Sequence, residues 1–339
     1  MRMLLRASLA LTLSLAAGVT CAATLTDDLG QQVELPHPAH RIADAWYAHH
    51  SLLMTLGAGD LIVATVNHPA DRPWMFKVQP SLNQALQARG KTFSSEALVA
   101  RGVDAIFVPA QDPDAASYRQ AAIPTLSMRF DDVASMKRSL LTTAQVVDTP
   151  EAQRRALAYN HYLDAQIAAV SAQTASLSDA QRPRVLHIQS LHPLKIDGGQ
   201  TLIDSWIRLA GGQNAAAQVT GNMKEVSPEQ VIAWDPDVII IGAGAGRLED
   251  SPCAALFSGV KAVKAHRVLQ NPSGVFPWDR YGTEVALQIL WAAKQLHPQR
   301  FPQLDMIAAT RTFYQRFYDY PLRVDEAKRI LAGLPPISG

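Results

Sequence analysis

Apolar and polar positions along this 339-residue chain fall into short helical and strand patterns, and one such pattern occurs twice. Ser94 to Val108 reads SSEALVARGVDAIFV and Ser227 to Ile241 reads SPEQVIAWDPDVIII; the two align without gaps at an offset of 133. Five positions are then identical: Ser94 with Ser227, Glu96 with Glu229, Ala100 with Ala233, Asp104 with Asp237, and Ile106 with Ile239. Each copy opens on a capping serine, carries glutamate where a helix dipole favours an anion, and continues with apolar residues at helical spacing. A short turn follows, then an unbroken apolar run of the kind that forms a strand covered on both faces. Two such units this far apart predict two α/β lobes of similar design with a cleft between them.

The pattern fills in around these units. A hairpin is expected about Leu29-Gly30, a strand near Arg41 to Ala45, and a helix from about Ser51. That places Trp46, Tyr47, His49 and His50 at the carboxyl end of a strand, where open α/β sheets collect ligands. A strand over Leu61 to Val66 ends at His68, and residues 70–93 read as a long irregular binding loop with an exposed Trp74. A strand pair within Ala122 to Met128 and a helix over Val133 to Val147 come next. Thr149-Pro150-Glu151 is a strong helix start, and apolar spacing continues to about Ser178, roughly 28 residues or about 42 Å of helix. Between the two units this helix is a strut that limits hinging. Beyond it, RPRVLHIQSLHPLKIDGG predicts a strand pair with His192 in its turn, and TLIDSWIRLAGGQN a helix stopped by Gly211-Gly212. A strand over Arg267 to Gln270, the loop NPSGVFPWDRYG and three helices complete the chain. The expected divisions are a leader at 1–22, a first Rossmann-like lobe at 23–148, a linking helix at 149–182 and a second lobe at 183–339.

The leader changes the picture of composition. Arg2 and Arg6 precede an apolar segment, Ala7 to Val19, too short to span a bilayer, and Thr20-Cys21-Ala22 offers the small residues of a signal-peptidase site. Anchoring as a lipoprotein at Cys21 fits less well, because Gly18-Val19-Thr20 is a poor match to the residues such a site needs. Without the leader's two arginines, 29 of the 31 basic residues remain against 30 acidic ones. That near balance argues against nucleic acid as a partner. Only Cys253 of the two cysteines is left, so no disulfide is expected within the mature, soluble, extracytoplasmic chain.

Histidines and aromatic residues gather at strand ends: Trp46, Tyr47, His49, His50, His68, Trp74, His192, Trp278 and Tyr281. Imidazole binds transition metals, and tryptophan and tyrosine give broad faces suited to a planar chelate. No ligand spacing matches a metal motif, so direct coordination is the weaker expectation. Within Phe276 to Tyr281, Arg280 suits an anionic chelate while Trp278 stacks on it, unless Asp279 neutralises Arg280 locally. Lys224 adds charge near the cleft rim. Gly242 to Gly246 lacks the spacing of a dinucleotide or P-loop motif and reads as a mobile loop at the cleft. No nucleophile elbow, zinc-protease helix or carboxylate pair is present.

The runs Gly198-Gly199-Gln200-Thr201-Leu202-Ile203-Asp204, Leu209-Ala210-Gly211-Gly212-Gln213-Asn214 and Val226-Ser227-Pro228-Glu229-Gln230 with Asp235-Pro236-Asp237-Val238-Ile239 resemble the periplasmic iron-siderophore, haem and cobalamin-binding proteins of ATP-driven importers. Arg41-Ile42, Leu56-Gly57-Ala58-Gly59-Asp60 and the Glu96 unit extend the resemblance over nearly the whole mature chain. It implies two α/β lobes joined by one long helix, no intrinsic cofactor, and a metal complex held as transported ligand. It also implies a monomer that docks on a membrane permease with a separate ATPase, through one glutamate per lobe; Glu96 and Glu229 match those positions. Where some siderophore-binding relatives carry histidine ahead of the second unit this chain has Asn222, which argues against a catecholate siderophore. The alternatives are an oxyanion such as molybdate, a nickel complex, or an exported enzyme or sensor on the same scaffold.

Overall fold

The two copies of the repeated stretch fold alike but into different sheets. The computed structural model describes residues 23–337, so the leader and its cleavage site lie outside the described residues. The first half begins with the hairpin β1 (Ala23–Thr26) and β2 (Gln32–Leu35), followed by β3 (Ile42–Asp44), α1 (His50–Thr55), β4 (Ile62–Thr65), α2 (Pro73–Val78) and β5 (Leu86–Gln87). The first repeat is α3 (Ser95–Ala100) with β6 (Ala105–Pro109); α4 (Ala115–Gln120), β7 (Thr125–Met128) and α5 (Val133–Val147) follow. The sheet order is β5-β4-β3-β6-β7, all parallel, an open sheet whose strand order reverses between β3 and β6. At such a point the carboxyl ends splay and leave a crevice.

After the linking helix α6 (Pro150–Thr174) come β8 (Arg184–Leu191), β9 (Leu194–Ile196), α7 (Leu202–Leu209), β10 (Gln213–Asn214) and β11 (Lys224–Glu225). The second repeat is α8 (Pro228–Trp234) with β12 (Val238–Ile241), then α9 (Cys253–Leu256), α10 (Lys261–Lys264), β13 (Val268–Gln270), α11 (Val285–Leu296), α12 (Met306–Phe317) and α13 (Val324–Leu331). The order is β11-β9-β8-β12-β13 with β10 beside β8. β9 runs antiparallel to β8, and β11 antiparallel to β9, so this sheet is mixed.

The duplication extends to register and burial. Ala105 pairs with Ile42 and its counterpart Val238 with Val185. Ser94 Oγ accepts from Ala97 N and Ser227 Oγ from Gln230 N, capping both helices. Asp104 accepts from the backbone N–H of His40 and Arg41, and Asp237 from that of Arg184, so each aspartate latches its strand to the start of the neighbouring one. Burial class agrees at every aligned position except 97/230, 101/234 and 102/235.

Three expectations are corrected here. Ala122 to Met128 holds one strand, not two, and α4 precedes it. Residues 70–93 are not an irregular loop: α2, a 3-10 turn over Pro80–Gln84 and β5 order most of them. The long helix stops at Thr174, short of Ser178.

The outer faces of the two sheets bury separate apolar clusters, but the largest cluster runs through both lobes and α6. Tyr159 of α6 sits in it and donates its hydroxyl to Thr283 O at 2.6 Å. Thr55 donates to Thr283 Oγ1 at 2.8 Å, so α1 of the first lobe is bonded directly to the second. Arg155 binds both sides at once: Nε donates to Thr55 O at the end of α1, and Nη2 to Phe317 O at the end of α12, each at 2.8 Å. A buried guanidinium serving two helix carboxyl ends is a favourable use of its charge. Arg155→Leu is expected to cost about 2–3 kcal/mol of stability and to speed amide exchange at the ends of α1 and α12. Unchanged exchange at both ends would refute the tie.

Candidate functional site

The carboxyl ends of β3, β6 and β7 bring Trp46, Pro109 to Gln111 and Met128 to Asp131 to one edge, facing Asn222, Arg280 and Tyr281 from the other lobe. With Leu29 of the first hairpin they enclose a cavity of about 730 Å³. A shallower depression of about 640 Å³ under Gln181 to Pro183 and Lys261 to Arg267 lies at the amino ends of the second sheet and has no aromatic lining. Strand carboxyl ends are where such folds bind ligands, so the first cavity is the candidate.

Three rings meet across the lobes there. Trp46 and Phe130 lie 5.0 Å apart by ring centroid, and Tyr281 of the second lobe is 6.2 Å from Trp46 and 5.7 Å from Phe130. Burial pushes the Tyr281 phenol up to about 12, so it stays neutral. Its hydroxyl meets the Asn222 amide, whose Oδ1 is buried without a partner among the described residues. A ligand donor would satisfy that oxygen.

Behind Tyr281 lies a buried chain of charges. Arg280 Nη1 donates to Asp197 at 2.9 Å and to Gln189 Oε1 at 3.1 Å. Asp197 also bonds His187 Nδ1 at 2.8 Å, and His187 Nε2 reaches Asp279 at 2.7 Å. Burial alone would lower the imidazole, but the bonds to the two aspartates raise it to about 9. Burial would raise Asp197, yet the Arg280 charge, and then His187, hold it down to about 2. Two cations and two anions thus balance, and only Nη1 of Arg280 is engaged, which leaves its other N–H groups without an acceptor among the described residues.

Local sequence explains the rigidity of this wall. Glu284 accepts from Phe276 N at 2.8 Å and Trp278 Nε1 at 2.9 Å, pinning the back of the 275–281 loop; burial lifts its carboxyl to about 7 against these donors. Gly198, two residues past β9, lets the chain press on the segment carrying Asn222: a Cβ there would fall 1.7 Å from Val219 O.

Of the residues expected to face ligand, Trp46, Arg280 and Tyr281 line the cavity. The others require correction. His49 is fully buried between Asp44 and Thr143, each at 2.9 Å, and His50 is buried against Thr65 at 2.7 Å. Burial lowers the His50 imidazole, with Asp44 acting against the shift. Trp74 is buried, not exposed, and donates to Leu334 O; Trp278 is buried on Glu284. Tyr47 is half-buried on the core, His68 bonds Gln87, and His192 stands exposed in the β8–β9 turn; none lines the cavity. Lys224 is exposed in β11, and Gly242 to Gly246 lies outside the cavity lining. Asp279 partners His187, and the Arg280 counter-ion is Asp197. Sequence reasoning missed His187, Asp197 and Phe130. A histidine inside the apolar run Val185-Leu186-His187-Ile188 was the available signal. Among the described residues, no group of three or more His, Cys, Asp or Glu is arranged to hold a metal ion.

A family model described as "Periplasmic binding protein" matches residues 52–273. A periplasmic solute-binding protein from Veillonella parvula is similar in structure, with a TM-score of 0.76 at 24% identity over 92% of this chain and 97% of that one. The molybdate-binding protein MolA of Haemophilus influenzae is 33% identical over 125 residues, 35% of either protein. Its molybdate-bound structure has a TM-score of 0.74 at 21% identity, covering 89% of this chain and 99% of that one. A cobalamin-binding protein of Halobacterium salinarum is 36% identical over 89 residues, 26% of this chain and 23% of that protein. The chain thus matches about a third or less of the length of these two curated relatives.

Proposed function

We propose, because this chain belongs to the periplasmic binding protein family, that it captures a metal chelate in the periplasm and hands it unchanged to the permease of an ATP-driven importer. Export by the leader at 1–22, a monomeric state and lobes at 23–148 and 183–339 joined through 149–182 are parts of the same reading, as is docking through Glu96 and Glu229. The observation that carries the ligand class is the ring triangle of Trp46, Phe130 and Tyr281, built from both lobes beside the free N–H groups of Arg280. Rings take the face of a conjugated ligand, and a guanidinium takes its anionic edge. A volume of about 730 Å³ suits a ligand of that size. An iron chelate, haem or corrinoid therefore fits best.

Molybdate is the second reading, favoured by the likeness to MolA. A small oxyanion would use Arg280 and the Tyr281 hydroxyl and leave the ring faces idle.

The test is metal analysis and native mass spectrometry of protein taken from its own periplasm, then titration with hemin, cyanocobalamin, a ferric hydroxamate and molybdate. One chelate is expected to bind with a Kd between about 1 μM and 1 nM and to be recovered intact. Trp46→Ala and Tyr281→Ala should each weaken it about 10- to 30-fold. Tight molybdate binding indifferent to Trp46→Ala would replace the chelate reading with the oxyanion one, and a chemically altered ligand would point to an enzyme.

A further inference from the structure

Val99 and Ile232 are 54% and 45% exposed. Single apolar residues at a surface need no explanation. These two, however, are related by the same offset of 133 that relates the two repeats. Each stands three residues after its unit's glutamate, on the same side of its helix. Glu96 and Glu229 are exposed as well. The glutamates that do form ion pairs among the described residues are Glu151, Glu249 and Glu326. Of the other identical pairs, the serines cap, the aspartates latch strands, and Ile106 and Ile239 are core, while Ala100 and Ala233 are exposed. The glutamates sit in the first turn, where the helix dipole favours an anion, but the exposed aliphatic residue beside each has no such task.

Placement adds a second observation. Each helix runs opposite to the strand it precedes, so its first turn lies at the sheet's carboxyl edge. The first unit leads into Pro109 to Gln111 of the cavity lining, and the second follows Asn222. One unit therefore stands on each lip of the cleft.

We propose that each lobe carries a paired contact, a carboxylate and an aliphatic knob one helical turn apart, and that its occupant is the membrane permease, offering a basic group beside an apolar socket once to each lobe. The inference rests on the docking role proposed for Glu96 and Glu229 and adds its salt-insensitive half. A contact presented twice is met most simply by a partner made of two equivalent halves. Charge pairs at the rim set orientation and weaken with salt, whereas buried apolar area does not.

The experiment measures binding of the mature chain to the importer's permease–ATPase complex in phospholipid nanodiscs, at low and high salt. V99S and I232S are expected to weaken binding about five- to tenfold each, equally at both salts, with unchanged thermal melting because both sites are exposed. E96Q and E229Q should weaken it mainly at low salt. Wild-type binding by V99S and I232S alongside weakened E96Q and E229Q would remove the knobs and leave the docking role standing. Wild-type binding by all four variants, or no binding by the wild type, would overturn both.

Discussion

Replacing His187 by leucine is expected to lower the free energy of unfolding by about 3–5 kcal/mol, the usual effect of removing one member of a buried ion network. His187 is fully buried and is the cation between Asp197 and Asp279. Without it Asp197 keeps Arg280, but the Asp279 carboxyl loses its 2.7 Å partner, and its other oxygen is already without one among the described residues. Urea denaturation of the single variant and of His187→Leu combined with Asp279→Leu makes the argument specific. The double variant should recover part of the loss, because an apolar pair of fair volume replaces the stranded charge. A single-variant loss under about 1 kcal/mol would mean that water reaches these carboxylates and that the network is not sealed.

Stability should also fall as pH rises from about 6.5 to 9. The folded state holds the His187 proton up to about 9, whereas the unfolded chain releases it near 6.5. The folded state binds the proton more tightly, so the stabilisation is complete below 6.5 and gone once pH passes 9. Its size is on the order of 3 kcal/mol. Asp197 acts with the opposite sign: its carboxyl, held at about 2, contributes above pH 3.8 and loses that contribution as pH falls toward 2. Between these limits Glu284, raised to about 7, favours lower pH, while His50, lowered by burial, favours higher, and the profile there is flatter. The check is urea denaturation at pH 6.5 and 9 for wild type and His187→Leu. A decline of the same size in both would show that His187 is not its source.

Patterns that depend on near neighbours were legible in the chain. A capping serine, a first-turn glutamate and an apolar strand are local, which is why both repeats, the α6 start at Thr149-Pro150 and the cleft between two sheets follow from sequence. The direction of a side chain just past a strand end is not local. Trp46 turns to the cavity while His49 and His50, in the turn and first residues of α1, point inward because Asp44, itself buried, holds both rings. Trp74 and Trp278 resemble binding residues until their partners are seen: Leu334 lies 260 positions away from the first, and Glu284 is a buried carboxylate hidden in an ordinary helix start. The charge chain was invisible for the same reason. His187, Asp197 and the pair Asp279-Arg280 come from three segments, and nothing in any one names the others.

The apolar cluster that passes without a break from one lobe through α6 to the other has a consequence for traffic. Lobes cemented along their shared base have little freedom to change outline when the trap fills. If the docking proposed above holds, an unloaded copy would fit the doorway in the membrane almost as well as a loaded one and stand in its way. Uptake should climb with the abundance of this protein only while cargo keeps pace, and decline once vacant copies outnumber full ones.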